Sequence, residues 1–201
     1  MSAITTAVLI LAYVAGSINF ALVLLAWRGS DDPRRQFSGN PGTFNVYRVA
    51  GLFWASLVLI LDVSRAGLIA LIALKWLPML LVPWAGFFLI LGNRYPCFHR
   101  FKGGKGVANY LGFVIFILPV WGFISALTWP VTYRLFRVTF IPSFIMLALL
   151  GFGISRYIAW DPVAVVGTIT TLALVVLGHR KNMEEYLKTL QARKQSHDRP
   201  E

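Results

Sequence analysis

The chain has 201 residues, 57% hydrophobic and only 13% charged, against roughly 45–50% and 25% in soluble domains, so a soluble monomer is excluded. Nineteen Lys and Arg against eight Asp and Glu give a net charge of +11, a balance that suits nucleic acid or an anionic membrane surface. One cysteine, Cys97, excludes an internal disulfide, and with only three histidines beside it no metal centre is expected.

The apolar stretches come in order along the chain. Ala3 to Trp27 carries no charged side chain and has no basic segment before it, which predicts an uncleaved span. Val49 to Trp76 is interrupted at LDVSRAG and predicts a tilted or broken span, and Pro78 to Leu91 a short one. After NRYPCFHRFKGGKG come Val107 to Pro119, Val120 to Tyr133, Val138 to Gly153 and Asp161 to Leu177, with a tight turn expected at Pro119 and Trp121-Gly122. Together they predict an all-α polytopic integral membrane helical bundle of about seven transmembrane helices, some short or broken. It forms one domain over 1–182, followed by a polar, basic cytoplasmic tail at 183–201.

Lys and Arg near span ends stay cytoplasmic. An outside N-terminus puts every Lys and Arg on one side except Arg65, Lys75 and Arg156, which predicts a cytoplasmic C-terminus and accounts for the charge without nucleic acid. In the tail, Met183, Tyr186, Leu187 and Leu190 have amphipathic helical spacing.

The chemistry-bearing residues concentrate in the predicted cytoplasmic loops. FKGGKGVAN, Phe101 to Asn109, sets Lys102 and Lys105 among Gly103, Gly104 and Gly106 directly before an apolar helix. Glycines let backbone amides approach an anion, and a helix N-terminus adds partial positive charge. The spacing does not match a nucleotide-binding Walker loop, and a flexible basic turn is the alternative. In FSGNPGTFNVYR, Ser38, Asn40, Thr43 and Asn45 offer neutral hydrogen-bonding groups and Arg48 a planar cation that can fork onto phosphate; turn chemistry is the competing reading. Asp62 and Arg65 are three apart on a span and can pair. Ser143 follows a basic residue, and His179 and Asn182 share a face at the end of the last span.

The order GSINF, SGNPGTFNVYR, LDVSRAG, FKGGKGVAN, the serine of the sixth span and HRKN resembles the PlsY family of bacterial glycerol-3-phosphate acyltransferases from Gly16 to Asn182. The resemblance implies a seven-helix inner-membrane protein that moves a fatty acyl group from acyl phosphate to the 1-hydroxyl of glycerol 3-phosphate, forming lysophosphatidate, with no cofactor and no metal. It implies catalytic roles for Ser38, Lys105, His179 and Asn182, and substrate binding by Asn40, Asn45, Arg48, Lys102, Gly103, Gly104, Gly106 and Ser143. Membrane lipids and a peripheral acyl-ACP phosphotransacylase that supplies acyl phosphate are the implied partners. The chain departs from the family pattern at Asn93, where histidine is usual, at Phe44, where threonine is usual, at Asn19, where proline is usual, and at LDVSRAG. An alternative is therefore a divergent member that takes another acceptor, or that binds a phosphorylated lipid or partner protein without turnover.

Overall fold

The computed structural model describes residues 2–197, which form ten α-helices and three short 3-10 turns, with no strand among them. The helices are α1 (Ala3–Ser17), α2 (Phe20–Trp27), α3 (Thr43–Ala50), α4 (Leu52–Trp76), α5 (Val82–Arg94), α6 (Val107–Ile117), α7 (Pro119–Phe136), α8 (Phe140–Tyr157), α9 (Pro162–Leu177) and α10 (Arg180–His197). Ala3–Trp27, Leu52–Trp76 and Phe140–Tyr157 are each long and apolar enough to cross a bilayer, and α9 with the first part of α10 forms a further apolar pair bent by 50°. Large apolar side chains such as Ile10, Leu68, Phe123, Leu127 and Ile169 stay exposed on the outside, as a lipid-facing surface requires.

Local chemistry explains where the helices begin and break. Ser2 caps α1 by accepting from the Thr5 amide at 3.1 Å. The first apolar stretch is not one helix: the chain turns extended at Ile18, and Asn19 starts α2 by accepting from the Leu22 amide at 3.1 Å. By contrast α4 runs unbroken through LDVSRAG, because Asp62 and Arg65 pair at 2.9 Å and leave no isolated charge to expel. Its 25 residues span about 37 Å, enough for the roughly 30 Å of hydrocarbon. The turn expected at Pro119 and Trp121-Gly122 contracts to Leu118 alone, since Pro119 takes the first position of α7 and both Trp121 and Gly122 lie inside that helix.

Helix pairs α1 with α5, α4 with α6, α7 with α8 and α5 with α9 make the main packing contacts around a core that includes Leu89, Ile90, Phe113, Leu150 and Val175. Small residues set the closest crossing. A Cβ on Gly16 would strike the Leu89 carbonyl, and one on Gly92 the Tyr13 carbonyl; such backbone approach is how helices pack where lipid offers no hydrophobic drive. Gly92→Ala is expected to cost about 1–3 kcal/mol through overpacking, read as lower thermal stability of the detergent-solubilised protein, and an unchanged melting curve would contradict the close crossing.

Candidate active site

The ends of six helices meet at one end of the bundle: the starts of α4, α6 and α8 and the finishes of α5, α7 and α9. Between them, under α3 and α10, lies a cavity of about 750 Å³. Its polar lining includes Ser38, Asn40, Arg48, Lys105, His179 and Asn182, and its apolar lining Leu52, Leu59, Leu111, Trp129 and Met146. The chain segments that supply the polar groups are more than 140 residues apart at their extremes, about the whole length of the domain.

The loop before α3 is held to the glycine loop by Arg34. Asp32 accepts from the Arg34 amide at 2.9 Å and pairs with its guanidinium at 2.6 Å, which lowers the aspartate pKa and raises that of the arginine. Arg34 Nη1 then donates to the carbonyls of His99 and Lys102, at 3.3 and 3.2 Å. Asn45 is buried and spends its Nδ2 on the carbonyls of Pro33 and Gln36, at 2.8 and 3.2 Å. Its Oδ1 and the Thr43 hydroxyl oxygen are enclosed by protein without a hydrogen-bond partner among the described residues, so Asn45 serves the site through its Nδ2, by holding the loop. Asn19 Nδ2 reaches the Pro41 carbonyl at 3.3 Å, tying the α1–α2 break to the same loop.

The glycine loop is used differently from its sequence reading. The amides of Gly103 and Gly104 donate to the carbonyls of Arg94 and Asn93, at 3.2 and 2.9 Å, so they serve the fold. Lys102 and Gly103 do not line the cavity, whereas Gly104, Lys105, Gly106 and the first turn of α6 do. Gly106 opens α6 at φ +87°, and a Cβ there would sit 2.8 Å from Ile90, which requires glycine. The anion-seeking donors of this region are thus the N-terminus of α6 and Lys105.

Lys105 Nζ donates to Asn182 Oδ1 at 2.5 Å. Burial, aided by the charge of Arg94 and opposed by that of Glu185, lowers its pKa to about 8. His179, in the α9–α10 junction, is almost fully buried. Its Nδ1 lies 2.9 Å from the Val175 carbonyl; a carbonyl can only accept, so Nδ1 carries the proton and Nε2 is left as an acceptor. Burial first, then Lys105, pushes its pKa down to about 4, so the ring is neutral at physiological pH. Ser143 donates to the Thr139 carbonyl at 2.9 Å and accepts from Trp129 Nε1 at 3.2 Å, and no basic side chain hydrogen-bonds to it among the described residues.

The departures from the family pattern have structural consequences. The Phe44 ring lies 4.7 Å from the Arg48 guanidinium and packs edge-on against Tyr133 and tilted against Trp129, at 5.4 and 5.8 Å. Phe37 lies 5.9 Å from the same cation, and such faces attract a guanidinium. Asn93 Oδ1 accepts from Asn109 Nδ2 at 3.2 Å. Asn109 Oδ1 accepts in turn from Arg65, which also reaches the Ile18 carbonyl and Asp62. This buried chain forms the floor of the cavity. Ser38, Asn40, Asn45, Arg48, Gly104, Lys105, Gly106, Ser143, His179 and Asn182 therefore converge, while Lys102 and Gly103 stand behind them. Asn109 and Arg137, at the cavity wall, carry no strong signal by spacing alone.

The profile of the family described as glycerol-3-phosphate acyltransferase matches residues 6–189. The chain belongs to that family. It is 36% identical over 179 residues to the glycerol-3-phosphate acyltransferase of Pseudomonas paraeruginosa, covering 88% of this chain and 92% of the relative. It is 36% identical over 204 residues to that of Bordetella petrii, covering 94% and 93%. Among solved structures it is similar to PlsY, an integral membrane glycerol 3-phosphate acyltransferase, in its glycerol 3-phosphate form (TM-score 0.84, 31% identity, 92% of both chains) and its lysophosphatidic acid form (TM-score 0.82, 30% identity, 92% of both chains). Family membership and the all-helical membrane fold expected from the motif order hold.

Proposed function

We propose that the chain transfers a fatty acyl group from acyl phosphate to the 1-hydroxyl of glycerol 3-phosphate, releasing inorganic phosphate and forming lysophosphatidate. The observation that carries this reading is one cavity that joins cations without an ion-pair partner among the described residues to an apolar wall: Arg48 and Lys105 with the α6 N-terminus, facing Leu52, Leu59, Trp129 and Met146. Two phosphates and one long chain need that combination. The relatives' activity, named for the same acceptor, supports it.

In this reading Arg48 and Lys105 hold phosphate, and Asn182 fixes the Lys105 ammonium. Ser38 and Asn40 orient glycerol hydroxyls, and Asn45 holds the loop that carries them. His179 Nε2 accepts from the attacking hydroxyl, which adds to the acyl carbon as the bond from that carbon to the phosphate oxygen breaks. The proton ends on the departing phosphate, which leaves with one more negative charge than it carried in the acyl phosphate and is therefore a stronger base than a His179 ring held near a pKa of about 4. Placement and charge stabilisation then supply most of the rate. Ser143, whose proton is engaged by Thr139, positions the donor and forms no acyl-enzyme.

We also assign the protein to a bacterial inner membrane, with its N-terminus outside and its C-terminus and cavity mouth cytoplasmic, where a peripheral acyl-ACP phosphotransacylase supplies the donor. The test is phosphate release from palmitoyl phosphate by the purified protein with and without glycerol 3-phosphate. Acceptor-dependent release is expected; binding of either substrate without it would replace this reading by the non-catalytic one. A reporter fused after Glu201 should read cytoplasmic, and an external signal would invert the topology.

A further inference from the structure

The two cations assigned to phosphate are held by different means. Lys105 gives a donor to Asn182 Oδ1 at 2.5 Å. Arg48 also lines the cavity, yet its guanidinium makes no ion pair or hydrogen bond among the described residues. What it meets is two aromatic faces, Phe44 at 4.7 Å and Phe37 at 5.9 Å, both within the reach of a cation–π contact. Phe44 and Arg48 are four apart on α3 and share a face of that helix. Phe37 lies in the loop before α3 with φ +49°, a left-handed backbone that is uncommon for a bulky side chain. That turn is pinned beside it, where the Gln36 carbonyl accepts from the Gly39 amide at 3.0 Å and from Asn45 Nδ2 at 3.2 Å. A strained residue persists only where its surroundings over-determine it.

Phe44 is itself locked in place. Its ring meets Tyr133 edge-on at 5.4 Å and Trp129 at 5.8 Å, and those two rings of α7 stack at 5.2 Å. Trp129 Nε1 donates in turn to Ser143 of α8 at 3.2 Å. The face that meets Arg48 is therefore fixed from across the cavity. Ordering a long, rotamer-rich side chain at the moment a ligand arrives costs affinity. A carboxylate partner would order Arg48 beforehand but would cancel its charge and occupy its donors. The carboxylates at the cavity are Asp62, which pairs with Arg65, and Glu185, and neither pairs with Arg48. An aromatic face orders a guanidinium while leaving its charge and its five N–H donors unspent.

We infer that Phe44 is a positioning residue for acyl transfer: its face, with that of Phe37 beside it, presets the Arg48 guanidinium to receive phosphate. The inference rests on the acyl transfer proposed above, in which Arg48 holds phosphate. Phe44 acts through the arginine.

The test measures KM for palmitoyl phosphate and for glycerol 3-phosphate on the full-length protein, first confirming acceptor-dependent phosphate release by the wild type. If the wild type shows none, the parent reading fails and the inference falls with it. With turnover present, Arg48→Lys keeps the charge but loses the planar fork, and the pattern of KM values it raises shows which phosphate Arg48 holds. Phe44→Leu keeps most of the apolar volume and removes the face. It should reproduce that pattern with a rise of about three- to fivefold, the size of a partly exposed cation–π contact. Phenylalanines with one, two and three ring fluorines, placed at position 44 by amber suppression, draw charge from the face with little change of size, so the same KM should climb with each fluorine. That series decides the matter even where Phe44→Leu does not fold. An Arg48→Lys variant that raises neither KM, a Phe44→Leu variant with a different pattern or with lower thermal stability as its only effect, or a flat fluorine series would overturn the inference.

Discussion

Replacing Lys105 with alanine is expected to lower kcat/KM for acyl transfer by about 10²–10³, the range for removing one preorganised donor to charge that develops in the transition state. Its ammonium is half-buried where Arg48 and Arg137 are exposed, it is oriented by Asn182 at 2.5 Å, and burial holds its pKa near 8. The sign of the pH dependence follows. Below about 8 the ammonium is present and can hold phosphate; as pH rises through that value the charge is lost, so kcat/KM should fall on the alkaline side. A bound phosphate stabilises the ammonium and raises its pKa, so the corresponding limb of kcat should lie at higher pH. Arginine does not deprotonate in this range, and Lys105→Arg, at reduced rate, should lack the alkaline limb. Rates within a few-fold of wild type in Lys105→Ala, or the same limb in Lys105→Arg, would remove Lys105 from the chemistry.

The parts of this molecule that were legible in the sequence are those encoded by local runs. The spans around α1, α8 and α9 follow from long apolar runs and that of α4 from one interrupted at LDVSRAG, and the glycine loop and the NVYR segment announce anion chemistry through residue types in sequence. What the sequence conceals depends on partners far along the chain. Nothing near Asn19 shows that its amide will meet Pro41 and break the first stretch into α1 and α2. Lys102 and Lys105 look equivalent, yet only the second faces the cavity, because the amides of Gly103 and Gly104 are drawn onto the end of α5 and fix which way the loop turns. Asn109 is an ordinary polar residue until α4 brings Arg65 to it, and Arg137 reads as a positive-inside residue until α7 and α8 set it at the mouth.

The floor of the cavity yields the largest expected change in stability. Arg65 sits within α4 and bonds to the Ile18 carbonyl, Asp62 and Asn109. One side chain thus joins the α1–α2 break, α4 and the first turn of α6, and through Asn109 and Asn93 it backs the Gly104 amide. Arg65→Met fits the apolar surroundings but leaves Asp62 buried without its partner and strips the Ile18 carbonyl of its donor. Removing one member of a buried pair costs about 3–5 kcal/mol. Asp62→Asn combined with Arg65→Met removes the stranded charge and should recover part of that loss, a coupling that a double-mutant cycle measures directly. Arg65→Lys keeps the charge but not the planar fork that serves three acceptors in different directions, so it should fall between wild type and Arg65→Met. Unfolding of the purified protein in detergent, followed against denaturant, gives the five values: wild type, Asp62→Asn, Arg65→Met, the double variant and Arg65→Lys. An Arg65→Met variant within about 1 kcal/mol of wild type, or a double variant no better than the single, would mean that Arg65 is solvated in the bundle instead of holding these helices together.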